Sequence, residues 1–98
     1  MKESTIVTNI LQFLRTRERV FAWKEHGGRF GTAGLPDIVA CVDGMFVGLE
    51  VKAPSGKLTL LQQATLERIR AAGGVAEKVT SVDEVQTIIN SIEGGAAE

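Results

Sequence analysis

Two apolar runs, 36–42 and 45–51, are separated only by Asp43-Gly44, and that spacing restricts the chain more than any other feature. An Asp-Gly pair suits a two-residue turn with positive φ at both positions, whose twist matches the strands it joins. The runs are therefore predicted to form an antiparallel hairpin closed by Val42 and Met45. Directly paired residues then have numbers summing to 87, so Asp37 falls opposite Glu50 and Leu35 opposite Lys52. Because side chains alternate along a strand, Asp37, Glu50 and Lys52 project from one face.

The flanking sequence supplies the other elements. Ile6, Val7, Ile10, Leu11, Phe13 and Leu14 recur at helical spacing between Ser4 and Arg17. Val20 to Lys24 reads as a strand, followed by a glycine-rich loop with Gly27, Gly28, Gly31 and Gly34. Thr59 with Gln62 three residues on marks a capped helix start, continuing through Leu66, Ile69 and Arg70 to the stop at Gly73-Gly74. Val75 to Val79 forms a fourth strand, and Ser81 with Glu84 opens a last helix containing Val85, Ile88, Ile89 and Ile92. The order is αβββαβα, an α/β fold with a mixed sheet flanked by helices. With 98 residues there is room for one core. The domain is assigned to 1–93 and a flexible tail to 94–98. Cys41, between Ala40 and Val42, is expected in the core, and Trp23 in the core or at a dimer interface.

A formal net charge of -1 carries no overall basic footprint, but carboxylates reserved for a cation make net charge a poor test of phosphate binding. One cysteine and one histidine permit neither an internal disulfide nor a structural zinc site, which suits a reducing cytoplasm. No apolar run approaches the roughly 20 residues that span a bilayer, and Met1 to Ser4 do not open a secretion signal, so neither membrane nor export is expected. The glycine-rich loop is not followed by Gly-Lys-Ser/Thr on a helix, so no nucleotide cofactor is expected.

Carboxylates directly across an antiparallel pair have β-carbons about 4.5 to 5.5 Å apart, which destabilises the strands unless something positive intervenes. Ile38, Val39, Val47, Leu49 and Val51 surround the pair, so it is not part of a solvated surface. A hard cation such as Mg²⁺ takes carboxylate oxygens while keeping water and phosphate in its other positions. The pattern thus points to phosphate chemistry, with Asp37 and Glu50 as ligands and Lys52 placed to orient water and offset negative charge. The alternative is a structural Glu50–Lys52 pair with Asp37 capping the start of the strand. Lys24, His26 and Arg29 are candidate DNA contacts, against plain roles as solvated or turn residues.

Pro36-Asp37 followed by Glu50-Val51-Lys52 resembles the PD-(D/E)XK nuclease motif in its strand-hairpin setting. With Gly34-Leu35-Pro36-Asp37 and Leu58-Thr59-Leu60-Leu61-Gln62, the small chain is similar to the virus-type replication-repair nuclease group, VRR-NUC, from the first helix to the fourth strand. The resemblance implies a restriction-endonuclease-like fold and a Mg²⁺- or Mn²⁺-dependent endonuclease. It implies selectivity for branched DNA in the manner of a dimeric Holliday-junction resolvase, suited to DNA repair in a bacterial or phage-infected cell. It also adds Gln62 as a catalytic residue, and the Val51 backbone carbonyl and Glu3 as metal ligands. For Gln62 a capping box with Thr59 is the competing explanation. A catalytically silent or partner-activated nucleic-acid-binding module is the alternative to an enzyme, and an interaction domain without nucleic-acid affinity a third possibility.

Overall fold

The computed structural model describes residues 1–26 and 33–96. Gly27, Gly28, Arg29 and Gly31, singled out above, lie outside the described residues. The elements are α1 (Glu3–Arg15), β1 (Val20–Lys24), β2 (Ile38–Val42), β3 (Met45–Val51), α2 (Leu60–Ala71), β4 (Val75–Val79) and α3 (Val82–Ala96). They follow the expected αβββαβα order.

Asp43 and Gly44 take φ values of 51° and 86°, as the two-residue turn requires. The hairpin closes with Val42 on Met45 and pairs Ile38 with Leu49, the register counted from the turn. Arg19, itself at φ 60°, forms an ion pair with Asp43, and the Asp43 N–H donates to its carbonyl at 2.8 Å, tying the turn to the start of β1. The sheet runs β1-β2-β3-β4, antiparallel except where β4 lies parallel to β3 after the α2 crossover.

Alternation along the strands divides the molecule into two layers. On one side Ala22, Ile38, Ala40, Val42, Val47, Leu49, Val51 and Val79 bury against Ile6, Ile10 and Leu14 of α1 and Val85 and Ile89 of α3. On the other side α2 covers β3 and β4. It approaches closely because Gly48 carries no side chain: a β-carbon there would lie 2.9 Å from Pro36 Cγ and 3.1 Å from Ile69 Cδ1. Beyond α2 no other described element covers this second face, and Cys41, which pairs with Phe21 and Phe46, is exposed rather than in the core. Cys41 has apolar sequence neighbours, but α2, the helix on its side of the sheet, packs on β3 and β4 and leaves Cys41 of β2 exposed. Trp23 is likewise partly exposed, its ring tilted against that of Phe21 with centroids 5.5 Å apart.

Thr59 caps α2 with the full reciprocal box, whereas Glu84 bonds the N–H of Thr80, one residue before the Ser81 partner expected of it. The last helix runs past Glu93 to Ala96, into the segment assigned to a tail. Ile92 packs against the core, and Glu93 pairs with Arg17 at 2.8 Å, which holds the final turns of α3 to the end of α1. Among the described residues no helix is long and apolar enough to cross a membrane.

The Gly48 contact yields a stability test. Gly48→Val is expected to overpack the seam between α2 and β3 and to lower unfolding stability by about 1 to 3 kcal/mol. A urea midpoint equal to wild type would contradict the tight approach of Pro36 and Ile69.

Candidate active site

Asp37 lies one residue before β2, where Pro36, buried beside Gly48, directs the chain into the sheet. Its carbonyl still accepts from the Glu25 N–H at 2.8 Å, so the β1 pairing continues past the regular strand. The Asp37 side chain reaches across to β3, where Oδ2 accepts from the Val51 N–H at 2.8 Å. In return the Asp37 N–H donates to Glu50 Oε2 at 3.3 Å. The two acids are thus interlocked through each other's strands, with Asp37 Oδ1 free of hydrogen bonds among the described residues.

Glu50 is only 3% exposed, the one charged residue buried among those described. Its Oε1 accepts from Gln62 Nε2 at 2.7 Å. Gln62 meanwhile accepts the Thr59 N–H through Oε1 at 2.9 Å, and its own N–H donates to Thr59 Oγ1 at 3.1 Å. The capping role and the site role considered for Gln62 therefore coexist: its carbonyl oxygen caps α2 while its amide nitrogen holds Glu50.

Burial, and next the negative charge of Asp37, push the Glu50 carboxyl from its ordinary 4.5 up to about 7, with a further push from Glu3. The Lys52 charge and the Asp37 N–H act in the opposite direction. Lys52 is near enough to be felt, yet among the described residues it forms no ion pair with either acid, so the structural pair considered above is not formed. Glu3, exposed in the first turn of α1, acts on Glu50 at a distance and makes no hydrogen bond to either acid among the described residues. Val51 ends β3 between Glu50 and Lys52, its N–H taken by Asp37.

Among the described residues no three His, Cys, Asp or Glu side chains gather closely enough to enclose an ion. The donor set is two mutually repelling carboxylates, one of them buried. It fits a hard divalent cation that keeps most of its coordination for water and phosphate, since the cation would relieve that repulsion. Asp37 and Glu50 would hold it.

The end of the sheet carrying Asp37 and Glu50 is also where α1, α2 and α3 begin. Ile6, Pro54, Thr80 and Val82 line one recess there, bringing the α1 and α3 starts beside the turn after β3. Helix N-termini carry partial positive charge, which favours an approaching phosphate. Lys24 and His26 are exposed near this end, but the pairing of Lys24 with Ile38 puts its side chain on the α1 side of the sheet, away from Asp37. Neither is drawn into the acid cluster, and Arg29 lies outside the described residues. Lys78, on the site face beside Glu50, was not identified from sequence, because the parallel register of β4 on β3 leaves no local signal.

No protein-family model matches the chain, and no curated protein matches it. Solved structures do. One described as "VRR_NUC domain" superposes with a TM-score of 0.73 at 22% identity, covering 90% of this chain and 94% of that one. The chain has the VRR_NUC fold. A second, described as "VRR_NUC domain protein", gives a TM-score of 0.72 at 17% identity, covering 93% of this chain and 87% of that one. The likeness of fold thus extends over nine-tenths of the chain.

The electrostatics of Glu50 set a pH dependence. Since folding raises its pKa, the stability it contributes is complete below pH 4.5 and is lost as the pH rises through about 7. In EDTA, wild type should lose on the order of 3 kcal/mol over that window from this group. Glu50→Gln should remove that component, seen as a flatter plot of urea-derived stability against pH. Parallel curves for the two proteins would show that Glu50 is not strained.

Proposed function

We propose that this chain is a divalent-metal-dependent DNA endonuclease of the VRR_NUC kind, with Asp37, Glu50, Lys52 and Gln62 as its working residues. The observation that carries the proposal is the interlocked pair of acids with Lys52 on the same face, paired with neither acid among the described residues. A structural role would join Lys52 to one of the acids, whereas among the described residues Lys52 forms no ion pair with either. The shared fold with VRR_NUC domains supports the same conclusion.

A bound Mg²⁺ or Mn²⁺ would supply Lewis-acid polarisation of a phosphoryl oxygen and a lower pKa for water. The protein's part is positional and electrostatic. The Val51 N–H and the Glu50 contact hold Asp37 in one orientation, and Gln62 does the same for Glu50. Lys52 orients the attacking water and offsets charge as it develops on the phosphate. The Val51 carbonyl and Glu3 are proposed as additional ligands, Glu3 by movement of its side chain from the first turn of α1.

Selectivity for branched DNA is part of the proposal, and paired incisions at a junction require two copies of a site that cuts one strand. A two-fold homodimer supplies them. Phe21 at 70% and Phe46 at 47% exposure, with Trp23 and Cys41, form an apolar surface on the open part of the sheet that a second copy would cover. Phe21→Glu is expected to weaken self-association about tenfold or more in sedimentation velocity. Wild type that stays monomeric at tens of micromolar would remove the dimer from the proposal.

The decisive assay incubates labelled four-way junction, flap, duplex and single-stranded DNA with Mn²⁺, Mg²⁺ or EDTA. Metal-dependent cutting is expected, reduced about 10²- to 10³-fold in Lys52→Ala, with Mn²⁺ binding lost in Asp37→Ala. Folded, metal-loaded wild type that cuts no substrate would reject the stand-alone nuclease and favour a binding module or a partner-activated enzyme.

A further inference from the structure

Two lysines stand beside Glu50 on the site face: Lys52, next along the same side of the chain, and Lys78, its register partner on β4. Lys78 is partly buried, so its ammonium must find an acceptor. It does not pair with Glu50, its register partner. Its Nζ donates instead to the Gly56 carbonyl at 3.0 Å.

Gly56 belongs to the turn that follows Lys52. Its N–H donates to the Ala53 carbonyl at 2.8 Å, closing the four residues Ala53-Pro54-Ser55-Gly56. A β-carbon on Gly56 would lie 3.2 Å from Lys52 Cβ and 3.1 Å from the Ala53 carbonyl oxygen, so the turn rests directly on the Lys52 stem. The Lys52 N–H is itself held by the Val79 carbonyl at 3.0 Å. Strand β4 therefore fixes Lys52 twice, through its backbone at Val79 and through the turn at Lys78. Pro54 and Ser55 are exposed, and among the described residues the Lys78 bond is the only side-chain hydrogen bond that ties this turn to the sheet.

We propose that Lys78 is a positioning residue for Lys52, pinning the 53–56 turn against the Lys52 side chain through the Gly56 carbonyl. Its kinetic consequence rests on the nuclease function proposed above, while its structural consequence does not. A lysine loosely placed over a reacting phosphate loses much of its effect, since misplacement by about 1 Å can cost on the order of 10²-fold in rate.

The test compares wild type, Lys78→Met, Lys78→Arg and Gly56→Ala by amide hydrogen exchange and by junction cleavage. In Lys78→Met the peptide covering 52–57 should exchange faster, with other strands unchanged. Lys78→Arg, which keeps a donor, should restore protection. Cleavage by Lys78→Met should show kcat lowered by about 10- to 100-fold, with KM and Mn²⁺ affinity within about twofold of wild type. Gly56→Ala leaves Lys78 in place and presses on Lys52 from the turn, so it should lower kcat in the same way even if Lys78→Met folds poorly.

Unchanged exchange in folded Lys78→Met would overturn the proposal, as would wild-type kcat in Gly56→Ala or a kcat loss matched by loss of Mn²⁺ binding. Wild type that binds Mn²⁺ but cuts nothing would reject the nuclease instead, and the exchange comparison would then decide the role of Lys78 by itself.

Discussion

The structure turns on the reciprocal bonding of Asp37 and Glu50 across the first hairpin. Two carboxylates on adjacent strands repel, and one of them has almost no contact with water. The arrangement persists because each acid accepts a backbone N–H from the other's strand, and because Gln62 supplies a third donor. These bonds fix direction without neutralising charge. The result is a notch lined by two carboxylates of fixed direction, one of them buried, a donor set that fits a hard cation.

Everything around the notch serves to hold it at the edge of the core. The α1 and α3 side of the sheet supplies the apolar burial on which folding depends. The α2 side is thinner. There Gly48 admits Pro36 and Ile69, and that close approach brings the first turn of α2 near enough for Gln62 to reach Glu50. A larger residue at Gly48 would displace both the proline that introduces Asp37 and the helix that holds Glu50. Packing and site geometry are therefore coupled at one position.

Much of this was legible in the residues. Asp43-Gly44 determines the turn, the turn determines the register, and the register brings Asp37 and Glu50 together. Thr59 and Gln62 announce the start of α2, and the periodicity of Ile6 to Leu14 announces α1. Cys41 was misplaced because an apolar run does not say which of its faces will be covered, and here the helix that covers the outer face stops short of β2. Helix α3 continues past Glu93, with Ile92 beside it on the core and Glu93 paired to Arg17, which is remote in sequence. The second task of Gln62 and the bond from Lys78 to Gly56 were equally hidden, since both join segments that only the completed sheet makes neighbours.

The sequence by itself determined the order of elements, the hairpin register and the convergence of Asp37, Glu50 and Lys52 on one face, because turn chemistry and side-chain alternation act over a few residues. The tertiary structure alone decided the burial of Glu50, the failure of Lys52 to pair with the acids, the double use of Gln62 and the open aromatic side of the sheet. Those depend on the parallel docking of β4 and the placement of α2, long-range packing outcomes that no local pattern encodes.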